Sequence, residues 1–192
     1  MTSLICAACV SELPKNPLNL PNLRGKEPIL EVVGIGYLEA AINLSKLLQS
    51  RNDISEIIFV GTAGAYSQNI KIGEQIIVSA AALLNLGSVQ GLSYTIKDIY
   101  PILHASQPDS KNLLCLSSLE ITQDETISKQ IIKHYQTDAI IENMELYGIA
   151  KVASDHQIPW SAHLRVTNYT NKNAHEDYIS NIKDGDPGYL HF

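Results

Sequence analysis

The sequence predicts a single three-layer α/β domain, a mostly parallel and partly curled central sheet flanked by helices. Three observations predict it. The 192 residues suit one domain with a sizeable core. Apolar residues make up 45% and charged residues 18%, a globular rather than a disordered composition. Short apolar runs alternate with segments of helical period, as in βα units, and neither repeats nor low-complexity stretches interrupt them.

In chain order, strands are expected at residues 4–8, 29–33, 56–60, 74–81, 113–117, 138–141 and 161–166. Helices are expected at 38–49, 124–135, 144–156 and 174–182. The first helix places Ala41, Leu44, Leu47 and Leu48 on one face, and the polar run Ser50-Arg51-Asn52-Asp53 ends it. Ile57-Ile58-Phe59-Val60 is apolar on both faces, which suits a central strand covered by helices. Residues 85–112 carry Gly87, Gly91, Pro101 and Pro108 and read as a surface excursion beside the site. The tail from Gly185 reads as irregular.

A formal net charge of −6 argues against a nucleic-acid partner. MTSLICAACVSEL lacks the basic start of a signal peptide, and no apolar run approaches the roughly 20 residues of a membrane helix. Cys6, Cys9 and Cys115 form no even disulfide framework, which fits a reducing cytoplasm. Cys6 and Cys9 make a CxxC without a second pair, so they are read as buried strand cysteines rather than metal ligands. The six histidines show no ligand spacing, and neither a metal nor an organic cofactor is expected. Gly34-Ile35-Gly36 before a helix has Glu39 at the third position of a dinucleotide fingerprint, with no acidic residue suited to the ribose farther on.

Ligands of parallel sheets gather at the carboxyl ends of strands. Four such ends stand out: Cys9-Val10-Ser11-Glu12, Gly61-Thr62-Ala63-Gly64, Glu142-Asn143-Met144-Glu145 and Thr167-Asn168-Tyr169-Thr170-Asn171. Gly61 and Gly64 would let a ligand approach the backbone, although a tight turn after a strand needs the same residues. Glu145 could accept both hydroxyls of a ribose, or simply favour a helix N-terminus. Asn168 could equally be a turn residue. None of these signals decides alone.

As an ordered set they resemble the purine nucleoside phosphorylase and nucleosidase superfamily, especially methylthioadenosine/S-adenosylhomocysteine nucleosidases and futalosine hydrolases. The resemblance runs through VVGIGYLEAA (32–41), FVGTAGAYSQNIKIGEQIIVS (59–79), IIENMELYGIAKVASDHQIPW (140–160) and RVTNYTN (165–171). It implies that Glu12 helps hold an attacking water and that Thr62, Ala63 and Gly64 form a loop under ribose and base. Met144 would pack on the ribose, Glu145 would bind its hydroxyls, and Asn168 would take the base-protonating position. Cys9 and Asn143, at the same strand ends, join them as candidate substrate-binding residues. The resemblance also implies a homo-oligomer, with a dimer favoured, built on surfaces around the GTAG loop and residues 85–112. Against the family, the interval from Glu12 to Gly34 is short and the chain ends soon after its last strand. The domain therefore reads as trimmed at both places, and Arg165 falls one residue later than the family's arginine.

Cleavage at C1′ of a purine nucleoside leaves charge on the departing base near N7. Asn168 cannot supply a titrating proton there, but its NH2 can bond N7 and O6 of a 6-oxopurine, as in inosine or futalosine. Phe59 stands where hexameric phosphorylases keep a phosphate-binding arginine, and Glu12 would repel a dianion, so water is the expected nucleophile. Two alternatives stand: a phosphorylase with phosphate as co-substrate, and a non-catalytic nucleoside-binding homologue.

Overall fold

The computed structural model of the chain describes residues 2–17, 27–95, 99–108 and 110–182. The tail from Gly185, Arg24 and much of the shortened Glu12–Gly34 interval lie outside the described residues.

The spine of the sheet is β3 (Ile54–Ala65), which is far longer than residues 56–60. Along one edge β3 first pairs in parallel with β1 (Thr2–Ala7), whose outer neighbour is β2 (Ile29–Val32). Along the other edge it pairs in parallel with β9 (Trp160–Tyr169), which in turn carries the antiparallel β4 (Gln75–Ile77). At its carboxyl tip β3 meets β8 (Ile140–Glu142) antiparallel. The sheet continues through β7 (Leu114–Ser117) and β5 (Ala80–Leu83), both parallel to β8, to the antiparallel edge strand β6 (Leu103–His104). The result is a mixed, curled sheet in which parallel pairs predominate, as the sequence implies.

The expected strand 74–81 is instead two strands. The amide of Val78 bonds the Ala162 carbonyl, whereas the next two, Ser79 and Ala80, both bond the Leu113 carbonyl. The chain thus steps from β9 to β7 within one residue. The run Ile76–Leu83 is apolar but for Ser79, so the alternation carries no mark of the break.

Helix α1 (Tyr37–Ser50) buries Ala40, Leu44 and Leu48, so Ala40 rather than Ala41 leads its apolar face. It packs on α4 (Leu146–Asp155) so closely that a Cβ at Gly148 would stand 2.0 Å from the Tyr37 carbonyl oxygen. The excursion 85–112 holds the short α2 (Leu86–Val89) and β6. Asp124 caps α3 (Glu125–Tyr135) by accepting from the amides of Thr126 and Ile127. The last described helix is α5 (Ala174–Ile182). Leu4, Phe59, Ile141, Ile149 and Leu164 belong to the main core between the sheet and α1 and α4. Leu116, Ile131 and Ile140 form a second core with α3. Among the described residues no helix is long and apolar enough to cross a membrane.

Candidate active site

The site follows from a fork in the sheet. The ladder between β1 and β3 ends at Cys6 and Phe59, and β8 joins the same edge of β3 only at Gly64. Between those points the edge of β3 is unpaired by any strand. Side chains fill the gap: Asn143 Nδ2 donates to the Thr62 carbonyl at 3.0 Å, and Glu12 comes up beside Thr62. A cavity of about 190 Å³ opens at the fork, where the carboxyl ends of β1, β3, β7, β8 and β9 converge.

All the residues singled out in the sequence reach it: Cys9, Glu12, Thr62, Ala63, Gly64, Asn143, Met144, Glu145 and Asn168 line the cavity. GTAG, however, is neither a turn nor a loop. It continues β3 in register with Leu164–Asn168 of β9, and neither glycine has a positive φ. Gly61, Ala63 and Gly64 are buried and Thr62 is half-buried. Its glycines make room for side chains. A Cβ at Gly64 would stand 2.9 Å from Asn168 Nδ2 and 3.1 Å from Glu142 Cγ.

Glu12 closes a short 3-10 turn, Val10–Glu12, just after β1. Its Oε1 accepts from the Thr62 hydroxyl at 3.0 Å, while the buried Oε2 has no hydrogen-bond partner. Burial pushes its carboxyl up to about 7 and the negative Glu145 adds to the rise; the Thr62 hydroxyl and nearby amides of Ala8 and Thr62 offset only part of it. Such a carboxylate can take a proton near neutral pH.

Glu145 sits at the N-cap of α4 without capping it. The cap is Asn143, whose Oδ1 accepts from the amides of Glu145 at 2.9 Å and Leu146 at 2.8 Å. The Glu145 carboxyl instead accepts from the Gly36 amide at 2.8 Å and from Asn143 Nδ2 at 3.0 Å. Gly34 and Gly36, at φ of +92° and +86°, give the Gly-Ile-Gly segment its purpose, the presentation of that amide. The Asn143 side-chain amide makes all its bonds within the protein and holds Glu145 in place. Burial also raises the Glu145 carboxyl, against the pull of Gly36 and Asn143.

Asn168 reaches the cavity through a bulge. Ala63 pairs with Val166 but Gly64 with Asn168, leaving Thr167 as the extra residue, and both Thr167 and Asn168 line the cavity. The Thr167 hydroxyl donates to Asn168 Oδ1 at 3.0 Å, which turns Nδ2 toward Gly64. Arg165 lies directly across the ladder from Thr62 and, with Lys15, lines a neighbouring cavity of about 290 Å³ that shares Glu12 and Thr167.

Sequence reasoning missed Glu142, Ser118, Ile121, His175 and Tyr178, which also line the cavity. Glu142 was legible as the first acid of Glu-Asn-Met-Glu. Tyr178 had no local signal, since α5 brings it to Glu12 from the far end of the described chain; burial and the charges of Glu12, Cys9 and Glu145 raise its phenol. Cys6 is a buried strand cysteine as expected, whereas Cys9 is half-buried in the cavity wall beyond β1. Among the described residues no cluster of His, Cys, Asp and Glu is placed to hold a metal ion.

The fold is similar to solved nucleosidases. The 5′-methylthioadenosine/S-adenosylhomocysteine nucleosidase of Neisseria meningitidis, solved with methylthio-immucillin-A, superposes with a TM-score of 0.77 at 16% identity, covering 98% of this chain and 94% of that one. The Helicobacter pylori enzyme of the same name gives 0.76 at 13% identity, over 96% and 93%. The futalosine hydrolase of Helicobacter pylori gives 0.75 at 12% identity, over 96% and 92%. At these identities the likeness speaks for the fold. A sequence profile of the phosphorylase superfamily matches residues 15–117, more than half of the chain, and the protein belongs to that superfamily.

Proposed function

We propose that the protein hydrolyses the N-glycosidic bond of a purine nucleoside, with a 6-oxopurine as the leaving base. The observation that carries this reading is Glu12. One carboxylate oxygen is anchored on Thr62, the other is buried without a partner, and its proton affinity lies near neutrality. That is the arrangement of a general base waiting for water.

In this reading the ribose rests on Met144 with its hydroxyls on Glu145, and the base extends toward Asn168. The C1′–N9 bond breaks with its electron pair going to the purine. Water oxygen bonds to C1′ and gives its proton to Glu12. Asn168 Nδ2, oriented by Thr167, stabilises the leaving base through N7 and O6 without transferring a proton. The reaction uses only water and the nucleoside. The three free cysteines support a reducing, cytoplasmic setting. Exposed apolar side chains at Leu92, Tyr94, Tyr100 and Ile102 support self-association as a homo-oligomer, with a dimer favoured.

One observation favours a second reading. Arg165 and Lys15 border the cavity next to Glu12 and would suit a phosphate nucleophile, as a phosphorylase requires. Release of hypoxanthine from inosine, measured with and without phosphate, separates the two. Release in phosphate-free buffer supports hydrolysis, and an absolute phosphate requirement rejects it. Nucleoside binding without any base release would favour the non-catalytic reading.

A further inference from the structure

Asn181, on α5, lines the neighbouring cavity with Lys15 and Arg165 rather than the cavity at the fork. It nevertheless bonds to the wall between them. Its Nδ2 donates to the Thr167 carbonyl at 2.8 Å and to the Asp177 carbonyl of its own helix at 2.9 Å. Both amide hydrogens are thus used. One fixes the side chain to α5, and the other ties α5 to β9.

The residue so tied is the bulge. Thr167 has no Cα partner on β3, and the ladder between β9 and β4 reaches only to Arg165. A bulged residue is released from the regular pleat, so contacts from outside the ladder help to set its conformation. Thr167 is 2% exposed, and Asn181 supplies such a contact. The Thr167 hydroxyl has one hydrogen and two acceptors in reach, Asn168 Oδ1 at 3.0 Å and the Ala63 carbonyl at 3.4 Å. The shorter bond holds the Asn168 amide. The other bond of that amide, from Nδ2 to the Tyr169 carbonyl, is longer at 3.3 Å. Were the hydroxyl to turn to Ala63, Asn168 would be free to rotate about its last torsion, which is broad for asparagine.

Asn181, Thr167 and Asn168 therefore form a chain of hydrogen bonds from α5 to the cavity. We propose that Asn181 is a positioning residue: by holding the Thr167 bulge it fixes the Asn168 amide with Nδ2 toward the departing base. The proposal rests on the nucleoside-cleaving reading of the cavity and on the part of Asn168 in it. It draws α5 into the chemistry through a side chain that touches no substrate. Charge reaches the base only as the glycosidic bond breaks, so a misdirected Asn168 costs turnover rather than substrate affinity. The link needs a donor of this shape. Leucine matches asparagine in shape but donates nothing, and aspartate would set its oxygens against two carbonyls.

The test is a double-mutant cycle on inosine hydrolysis, with Asn181→Leu and Asn168→Ala introduced singly and together in the full chain. Asn181→Leu is expected to lower kcat at least about tenfold while KM stays within about twofold. In the Asn168→Ala background the same substitution should cost less than about twofold, because no amide is left to direct. A merely structural Asn181 would act alike in both backgrounds. Equal losses in the two, or an unchanged kcat for Asn181→Leu, overturn the proposal. If Asn181→Leu does not fold by circular dichroism, Asn181→Asp takes its place in the cycle with the same expectations. Failure of both variants to fold would make Asn181 a prop of the fold itself, which overturns the proposal too. A wild-type protein that releases no base from inosine sinks the reading of the cavity together with this proposal. One that hydrolyses inosine, but with equal losses in the two backgrounds, sinks this proposal alone.

Discussion

The Thr62 hydroxyl donates to Glu12 Oε1 at 3.0 Å, and this bond turns the second oxygen of Glu12 into a buried acceptor with nothing to accept from. A buried unpaired carboxylate oxygen is costly unless water or a ligand completes it. The pairing therefore leaves a carboxylate oxygen in the cavity lining that can accept a proton. In the proposed hydrolysis Glu12 acts only when ionised, and its carboxyl is pushed up to about 7 by burial and by Glu145. Turnover should rise with pH through about 7 and then level off. Glu12→Gln should lower kcat by about 10²- to 10⁴-fold with the fold intact by circular dichroism. A flat pH profile, or a variant that keeps its rate, would remove Glu12 from the chemistry.

The same shift has an opposite consequence for stability. The carboxyl moves from its ordinary value of 4.5 up to about 7 on folding. Between those two values the folded chain holds a proton that the unfolded chain has lost, so stability declines as pH rises across that window. Glu12→Gln removes the liability. At pH 8 it should stabilise the protein by up to about 3 kcal/mol, and below about pH 4 by nothing. Thermal melts at the two pH values check this, and a variant less stable at pH 8 would contradict it.

In the proposed hydrolysis Glu145 acts on Glu12 through charge as well as on the ribose through hydrogen bonds. Its negative charge is the second largest cause of the raised Glu12 carboxyl. Glu145→Gln should therefore move the rising limb of the pH profile to lower pH. It should also reduce kcat/KM by at least about tenfold, because one charged acceptor for the ribose hydroxyls is lost. A reduced rate with an unmoved limb would mean that Glu145 binds substrate without tuning Glu12.

Much of this arrangement was legible in the sequence. Glu12, Gly64, Glu145 and Asn168 were each marked by their place at a strand end, and the cavity gathers all four. What failed was local conformation. Two glycines around Thr62 suggest a turn, but β9 provides a full ladder for them and the segment stays extended. Tertiary pairing overrides a local preference here. The acid at Glu145 suggested a helix cap, but the cap is Asn143, and only the approach of Gly36 from another element shows what the carboxyl bonds. The break at Ser79 and the arrival of Tyr178 depend on contacts far apart in the chain, which periodicity cannot register.

Asn168 offers a direct test of base preference. Its Oδ1 is occupied by Thr167, so in the proposed reaction only an Nδ2 donor faces the leaving base. Asn168→Asp replaces that donor with a group that can carry a proton to N7 or accept from a 6-amino group. The ratio of kcat/KM for inosine over adenosine should fall by at least about tenfold. An unchanged ratio would show that the base is read elsewhere.

The two glycines of the central strand separate packing from function. A Cβ at Gly61 would press on the Phe59 ring at 3.2 Å and approach Leu164 at 3.6 Å, both core side chains. A Cβ at Gly64 would stand 2.9 Å from Asn168 Nδ2 and 3.2 Å from Glu142 Oε1, both in the cavity wall. Overpacking of this kind costs about 1–3 kcal/mol in either place. Only Gly64→Ala, however, must displace Asn168, the group that the proposed reaction sets against the base. Gly61→Ala should lower the melting temperature while the folded fraction keeps most of its turnover. Gly64→Ala should lower turnover per folded molecule by at least about tenfold, because displacements of about 1 Å at a reacting site cost far more in rate than in stability. Equal loss of turnover in both variants, measured at a temperature where each is folded, would mean that the base does not lie against Asn168.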